Sequence, residues 1–158
     1  MILYKKLFII LSSLFCLSLK ELSAQDRINF DFAKIDGSGF FSSYELNSKK
    51  SILLFFNIEC KSCLEKLDKI NNYAKNHSDI NIVLINCGDA SGVKNIISKF
   101  GFDKDIIILQ APIDSKSYLK YLGNISSSIP YFILLSKDLK ICLKKDMFFS
   151  DKEINNCN

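Results

Sequence analysis

Apolar runs and amphipathic segments alternate along most of the chain. Continuous apolar runs, which are typical of strands covered on both faces, occupy residues 52–56, 80–85, 106–109 and 131–135. Between these runs, apolar residues recur at helical spacing among polar ones. This pattern predicts a helix that begins near Cys63 and further helices at residues 93–100 and 115–122. The alternation predicts an α/β fold with a central mixed β-sheet flanked by helices.

Shorter segments on either side of this region alternate apolar and polar residues. Residues 28–33 predict a half-buried strand, and Asp36-Gly37 predicts a tight turn before a return strand at residues 39–41. Near the end of the chain, residues 139–145 alternate in the same way, and residues 151–156 are expected to form a last helical turn.

The first 24 residues have the pattern of a secretory signal. Two lysines in Met1–Lys6 precede an uncharged, mostly apolar run at residues 7–19, and the small residues Ser23-Ala24 follow. We therefore expect export to the periplasm or cell envelope, with cleavage after Ala24. The alternative is an uncleaved membrane anchor formed by residues 7–19. Outside the cytosol, disulfides form and persist.

The composition is that of an ordinary globular protein, with 48% hydrophobic and 24% charged residues in a chain of 158. This length is typical of one domain, which we place at residues 25–158. Residues 1–24 carry three lysines and one glutamate, so the net charge of +4 for the whole chain falls to +2 without them. A field this weak does not favour nucleic acid as a partner.

The candidate chemistry lies in Cys60-Lys61-Ser62-Cys63, between a buried strand and an amphipathic helix. A thiol at a helix N-terminus faces unpaired backbone N–H groups, which favour the nucleophilic thiolate. Lys61 is expected to stabilise the Cys60 thiolate further, and Glu59 to oppose it. Cys63, one helical turn inward, is placed to resolve a mixed disulfide formed at Cys60.

Other uses of two closely spaced cysteines fit this sequence less well. A c-type haem requires His after the second cysteine, where Leu64 stands. A zinc site requires four ligands, but the chain has one histidine and its other cysteines are scattered. We therefore expect no metal and no cofactor, and we interpret the pair as redox-active; a purely structural disulfide is the alternative.

The order of these features resembles the thioredoxin superfamily, and within it the exported TlpA/ResA-like thiol–disulfide oxidoreductases. The resemblance rests on the strand at residues 52–56, the Cys60–Cys63 pair and Ile129-Pro130 before a late strand. It implies a thioredoxin-like fold with an N-terminal hairpin at Phe30–Phe41 and an inserted strand–helix segment at Ile106–Leu122.

The resemblance also implies roles for single residues. Cys60 corresponds to the attacking cysteine and Cys63 to the resolving one. Pro130 corresponds to the family's cis-proline, and the backbone of Ile129 is expected to bind an extended substrate segment as an added strand. The implied partners are cysteine-containing envelope proteins and a membrane electron donor. Family resemblance leans towards a reductant, although the residues themselves leave the direction of exchange open.

Several positions depart from the family pattern. Glu59 stands where the family usually has Trp, Leu54 where many members hold a buried acid or polar residue, and Lys66 where ResA-like members often carry Glu. These departures keep two alternatives open. One is a redox-inert thioredoxin-like binding module with a structural disulfide, and the other is a Cu(I)-handling protein, since soft Cu(I) suits thiolates.

The remaining cysteines have separate expectations. The alternation of residues 139–144 places Cys142 on one face with Lys140 and Lys144, and a disulfide to Cys157 would close a short loop. Cys87 follows the strand at residues 80–85, on the sheet edge expected to carry the pair. It is either a third thiol near the site or, as we favour, a small buried filler. We assign His77 no role.

Overall fold

A computed structural model describes residues 27–158 of the chain. The signal peptide or anchor predicted for residues 1–24, with the apolar run 7–19 and Cys16, lies outside the described residues. Within residues 27–158, no helix is long and apolar enough to cross a membrane.

Seven strands form one mixed sheet. They are β1 (Asp31–Lys34), β2 (Phe40–Ser42), β3 (Lys50–Phe56), β4 (Ile80–Asn86), β5 (Ile107–Gln110), β6 (Tyr131–Leu135) and β7 (Ile141–Lys145). Their order across the sheet is β2-β1-β5-β4-β3-β6-β7. Strands β3, β4 and β5 are parallel, whereas β1 and β6 pair antiparallel with their neighbours. The predicted central mixed sheet is therefore confirmed.

Helices cover both faces of this sheet. They are α1 (Lys61–Ala74), α2 (Val93–Phe100), α3 (Ser115–Tyr121) and α4 (Asp151–Asn156), and a short 3-10 helix spans Ser43–Leu46. Leu119 and Leu122 pack with the N-terminal hairpin on one face, and Leu67, Ile70 and Ile154 pack on the other. The continuous apolar runs are thus explained, because successive side chains of the central strands enter two different cores.

The predicted strand at residues 28–33 is only partly formed as such. Ile28, Phe30 and Phe32 alternate into the core as expected, but regular pairing with β2 and β5 covers Asp31–Lys34. The preceding residues pair elsewhere: Ile28 donates its N–H to the Leu139 carbonyl at 3.0 Å. The alternation of apolar and polar residues therefore predicted correctly which side chains of this segment are buried. It did not predict the segments with which the backbone pairs, because those lie far away in the sequence.

Strand β7 departs from regular alternation. Its register against β6 shifts between Leu134 and Leu135, which leaves Cys142 as the extra residue of a bulge. Cys142 packs against the core that contains α4. Cys142 is therefore half-buried rather than on an outward face with Lys140 and Lys144. There it forms a disulfide with Cys157, which follows α4, with a Cα–Cα distance of 5.6 Å.

The disulfide should contribute to stability by restricting the unfolded chain. It spans a sequence separation of 15 residues, and a closed loop of that length contributes about 3 kcal/mol. We expect the variant with both Cys142→Ser and Cys157→Ser to lose about that much free energy of unfolding in guanidinium titrations.

The control for this variant is the wild-type protein unfolded in the presence of a strong thiol reductant. It should lose the same amount, while the double variant should be insensitive to the reductant. Equal midpoints for the wild type and the double variant without reductant would contradict a stabilising bridge.

Candidate active site

The sheet topology brings several chain segments to one edge. The carboxyl ends of the parallel strands β3, β4 and β5 lie at the same edge, and the Cys60 turn follows β3. Strand β6 runs antiparallel to β3, with Tyr131 opposite Phe55, so its start lies at this edge as well. As a result Cys60, Cys63, Cys87 and the segment Ile129-Pro130 meet there.

Cys60 is the N-cap residue of α1. Its extended backbone (φ −89°, ψ 107°) places the sulfur over the first helical turn, where Sγ accepts the Cys63 N–H at 3.3 Å. The Ser62 hydroxyl lies 3.1 Å from the same sulfur. A helix N-terminus carries unpaired N–H groups and positive potential, so this cap suits a thiolate.

The pKa of Cys60 is lower than that of an ordinary thiol. Partial burial raises it, but hydrogen bonds from Cys63 and Ser62, through side chains and backbone N–H groups, more than offset the burial. Because the sulfur stays half-exposed, the thiolate is both favoured and accessible.

Cys63 has the opposite environment. Its side chain is fully buried against Leu54 and Leu67, and burial, followed by the hydrogen bond with Cys60, raises the pKa of the Cys63 thiol to about 12. The backbone of Asn57 acts in the other direction and lowers this pKa. One thiol is therefore poised as a nucleophile and the other is held protonated.

The segment before β6 lies directly against Cys60. The Ile129–Pro130 peptide bond is cis, and the Ile129 carbonyl oxygen lies 3.9 Å from the Cys60 sulfur. Side chains hold the approach to this segment: Asn124 donates to the Ser128 carbonyl at 2.6 Å, and the Ser127 hydroxyl donates to the Lys116 carbonyl at 3.1 Å. The backbone beside the sulfur is thereby fixed in place.

The charged residues next to the pair point into solvent, whereas a neighbouring serine contacts the Cys60 sulfur. Glu59 and Lys61 both have exposed side chains, where solvent weakens their effect on the sulfur. Ser62, which the sequence analysis did not single out, contacts the sulfur directly. The sequence could have indicated this contact, because Ser62 lies in the first turn of the helix that Cys60 caps.

Cys87 lies at the same edge, half-buried, and is the third free thiol among residues 27–158. Burial raises its pKa to about 12, and the Ser115 hydroxyl donates to its carbonyl at 3.4 Å.

The Cys142–Cys157 disulfide lies at the opposite end of the sheet from these thiols. Lys50, the first residue of β3, donates to the carbonyls of Ile154 and Asn155, just before Cys157. In the described part of the chain, no three His, Cys, Asp or Glu side chains are grouped so as to hold a metal ion.

Solved structures with a similar fold include three exported or interchange proteins. A thioredoxin-family thiol:disulfide interchange protein of Chlorobium tepidum is 19% identical, with a TM-score of 0.69 over 83% of this chain and 94% of its own. A secreted Mycobacterium tuberculosis disulfide oxidoreductase homologous to E. coli DsbE is 18% identical, with a TM-score of 0.64 over 83% and 95%. The exposed lipoprotein thioredoxin Etrx1 of Streptococcus pneumoniae is 22% identical, with a TM-score of 0.60 over 81% and 96%.

Scans against protein-family models and curated proteins found no match. The structural likeness establishes a thioredoxin-like fold, which confirms the fold implied by the sequence resemblance.

The hydrogen bond from Ser62 generates a prediction about pH dependence. In the wild type, alkylation of Cys60 should rise with pH around a midpoint below the ordinary thiol value of about 8.5. Ser62→Ala removes one donor to the thiolate, so we expect the midpoint to move up by about half a pKa unit. The pH profile of iodoacetamide labelling at Cys60, read by mass spectrometry, measures this shift.

Ser98→Ala is the matched control, since the Ser98 hydroxyl donates to a backbone carbonyl on the exposed face of α2. It should leave the profile unchanged. A midpoint for Ser62→Ala equal to that of the wild type would show that the hydroxyl does not stabilise the thiolate.

Proposed function

We propose that this thioredoxin-fold protein is an exported thiol–disulfide oxidoreductase that exchanges disulfides with cysteines of envelope proteins through Cys60 and Cys63. The observation that carries the proposal is the contrast between the two thiols. Cys60 is half-exposed with a lowered pKa, and Cys63 is buried with a pKa raised to about 12. An accessible thiol with a lowered pKa favours attack on a substrate disulfide, and a shielded second thiol is placed for the resolving step.

In the reducing direction, the Cys60 thiolate attacks one sulfur of a substrate disulfide. A Cys60–substrate disulfide forms, and the other substrate sulfur leaves as a thiolate that takes up a proton. Cys63 then loses its proton and attacks the Cys60 sulfur, which expels the second substrate thiolate. The substrate gains two electrons and two protons, and the pair is left as a disulfide. The reverse sequence oxidises a substrate dithiol.

The proposed substrate is a polypeptide. The backbone of Ile129 is held beside the Cys60 sulfur, where an extended substrate segment has a carbonyl and an N–H to pair with, as an added strand does. Ile113 and Ile125, both exposed, lie in the loops that follow β5 and precede β6 near this edge. Exposed apolar side chains in these two loops suit contact with the flank of a protein cysteine better than with a small charged thiol.

Export is proposed from the N-terminal pattern of residues 1–24 together with two of the similar structures, a secreted oxidoreductase and an exposed lipoprotein. The Cys142–Cys157 disulfide supports the same location, because such bridges persist outside the cytosol. A reductant is then needed to return the pair to the dithiol after each reduction, and the family resemblance suggests a membrane electron donor for this step.

Insulin reduction with a chemical electron donor tests the activity. We expect turnover for the wild type, none for Cys60→Ser, and a trapped mixed disulfide for Cys63→Ser, because that variant attacks but cannot resolve. Non-reducing gels and mass spectrometry identify the trapped species. Cys87→Ser, which removes the third free thiol of residues 27–158, should turn over like the wild type.

The competing functions give different results. A wild type without turnover, with a pair potential below about −300 mV, would favour the redox-inert binding module. Tight competitive binding of Cu(I) that needs both Cys60 and Cys63, again without turnover, would favour metal handling.

A further inference from the structure

Asn86, the last residue of β4, has a completely buried side chain that the chemistry above does not use. Its amide nitrogen shares two hydrogens among three acceptors, two of which are the carbonyls of Gly88 and Asp89, at 3.0 and 3.1 Å. Its Oδ1 accepts the Gly88 N–H at 3.3 Å. A single buried side chain thus holds the start of the loop at residues 87–92, which leads to α2.

Gln110, the last residue of β5, completes this arrangement. It pairs with Asn86 in the sheet register, and its Oε1 accepts an N–H from the Asn86 amide at 2.8 Å. Its own amide nitrogen donates to the Gly88 carbonyl at 3.0 Å. We call Asn86 and Gln110 the amide clamp; together their side-chain nitrogens donate twice to Gly88.

The loop held by the amide clamp packs closely against the turn that precedes Cys60. A Cβ atom added at Gly88 would lie 2.6–2.8 Å from the Oδ1, Cγ and Nδ2 atoms of Asn57. A Cβ atom at Gly92 would collide with the Cδ1 atom of Ile58. Asn57 and Ile58 therefore pack directly against this loop, at Gly88 and Gly92 respectively.

Asn57 in turn contacts Glu59, Cys60 and Cys63. Its Oδ1 accepts the Glu59 N–H at 2.9 Å, and its carbonyl accepts the Cys60 N–H at 3.1 Å. A backbone hydrogen bond from the same residue acts on the Cys63 thiol. A displacement of Asn57 would consequently change the hydrogen bonds made at both Cys60 and Cys63.

We propose that the amide clamp, acting through Gly88 and Asn57, positions the Cys60 turn on the N-terminus of α1. This positioning contributes to catalysis only if the proposed function is correct. Asn86 and Gln110 are positioning residues, because they touch neither sulfur. Their hydrogen bonds hold the loop at residues 87–92, and Asn57, which precedes the helical cap, packs against Gly88 of that loop.

A double-variant cycle between Gly88→Ala and Asn57→Ala tests the coupling. The added methyl of Gly88→Ala must displace the Asn57 side chain, so its effect should pass through that residue. We expect each single variant to raise the Cys60 labelling midpoint by about half a pKa unit, a loss of about threefold in thiolate at neutral pH. The double variant should show the same shift as Asn57→Ala alone.

Asn86→Ala tests the amide clamp itself, with Asn81→Ala as its matched control. Asn81 lies at the other end of β4 and donates to the Leu46 carbonyl at 3.1 Å, so its loss also removes a side-chain hydrogen bond from the same strand. We expect both variants to lower the free energy of unfolding, but only Asn86→Ala to shift the Cys60 midpoint and the reduction potential of the pair.

Each outcome decides the question. Shifts of Gly88→Ala and Asn57→Ala that simply add, or equal midpoints for Asn86→Ala and Asn81→Ala, would overturn the proposal. Should Asn86→Ala fail to fold, Gln110→Ala and the Gly88–Asn57 cycle still test it. Labelling needs no substrate, so a wild type inactive on insulin would count against the proposed function alone.

Discussion

The hydrogen bond from the Cys63 N–H to the Cys60 sulfur is the constraint on which the rest of the site depends. It makes a cysteine the cap of α1, so the cap residue of the helix is also the thiol whose pKa is lowered. The same turn fixes Cys63 one helical step inward, under the cover of Leu67. The two thiols therefore differ in exposure and acidity because of where the helix begins. The neighbouring charges of Glu59 and Lys61, both in solvent, are not needed for that difference.

Local pattern was sufficient for most of the fold. Buried central strands require continuous apolar runs, and those runs predicted β3, β4, β5 and β6 to within a residue or two at most ends. The failures lie where pairing, rather than periodicity, decides. Arg27 bridges to Lys140 and Ile28 to Leu139, which separates the first residues from β1. Cys142, expected on an outward face, packs in the core that contains α4, a tertiary contact that alternation along β7 does not reveal.

The site divides along the same line. The cysteine pair and Ile129-Pro130 are visible in the sequence because their spacing and their places after β3 and before β6 are local facts. Ser62 was within reach of the same reasoning. The dependence of Asn57 on Gly88 was not, since these residues lie on different loops and meet only when β3 and β4 pair. A glycine whose missing Cβ makes room for a neighbour gives no local signal, and its role follows from the tertiary contact alone.

Under the proposed function, the fully buried Leu54 bears on how Cys63 loses its proton in the resolving step. It pairs with Leu84 and Phe132 in the sheet and packs in the same core as Cys63, at the position where a buried acid was expected from the family pattern. The groups that shift the pKa of Cys63 are its own burial, Cys60, Asn57 and Cys87, and none is a carboxylate. Glu59 and Glu65 are exposed. Under the proposed function, we therefore expect the first departing substrate thiolate to accept the proton of Cys63. Substrate chemistry would then trigger resolution, which keeps Cys63 protonated until a mixed disulfide has formed.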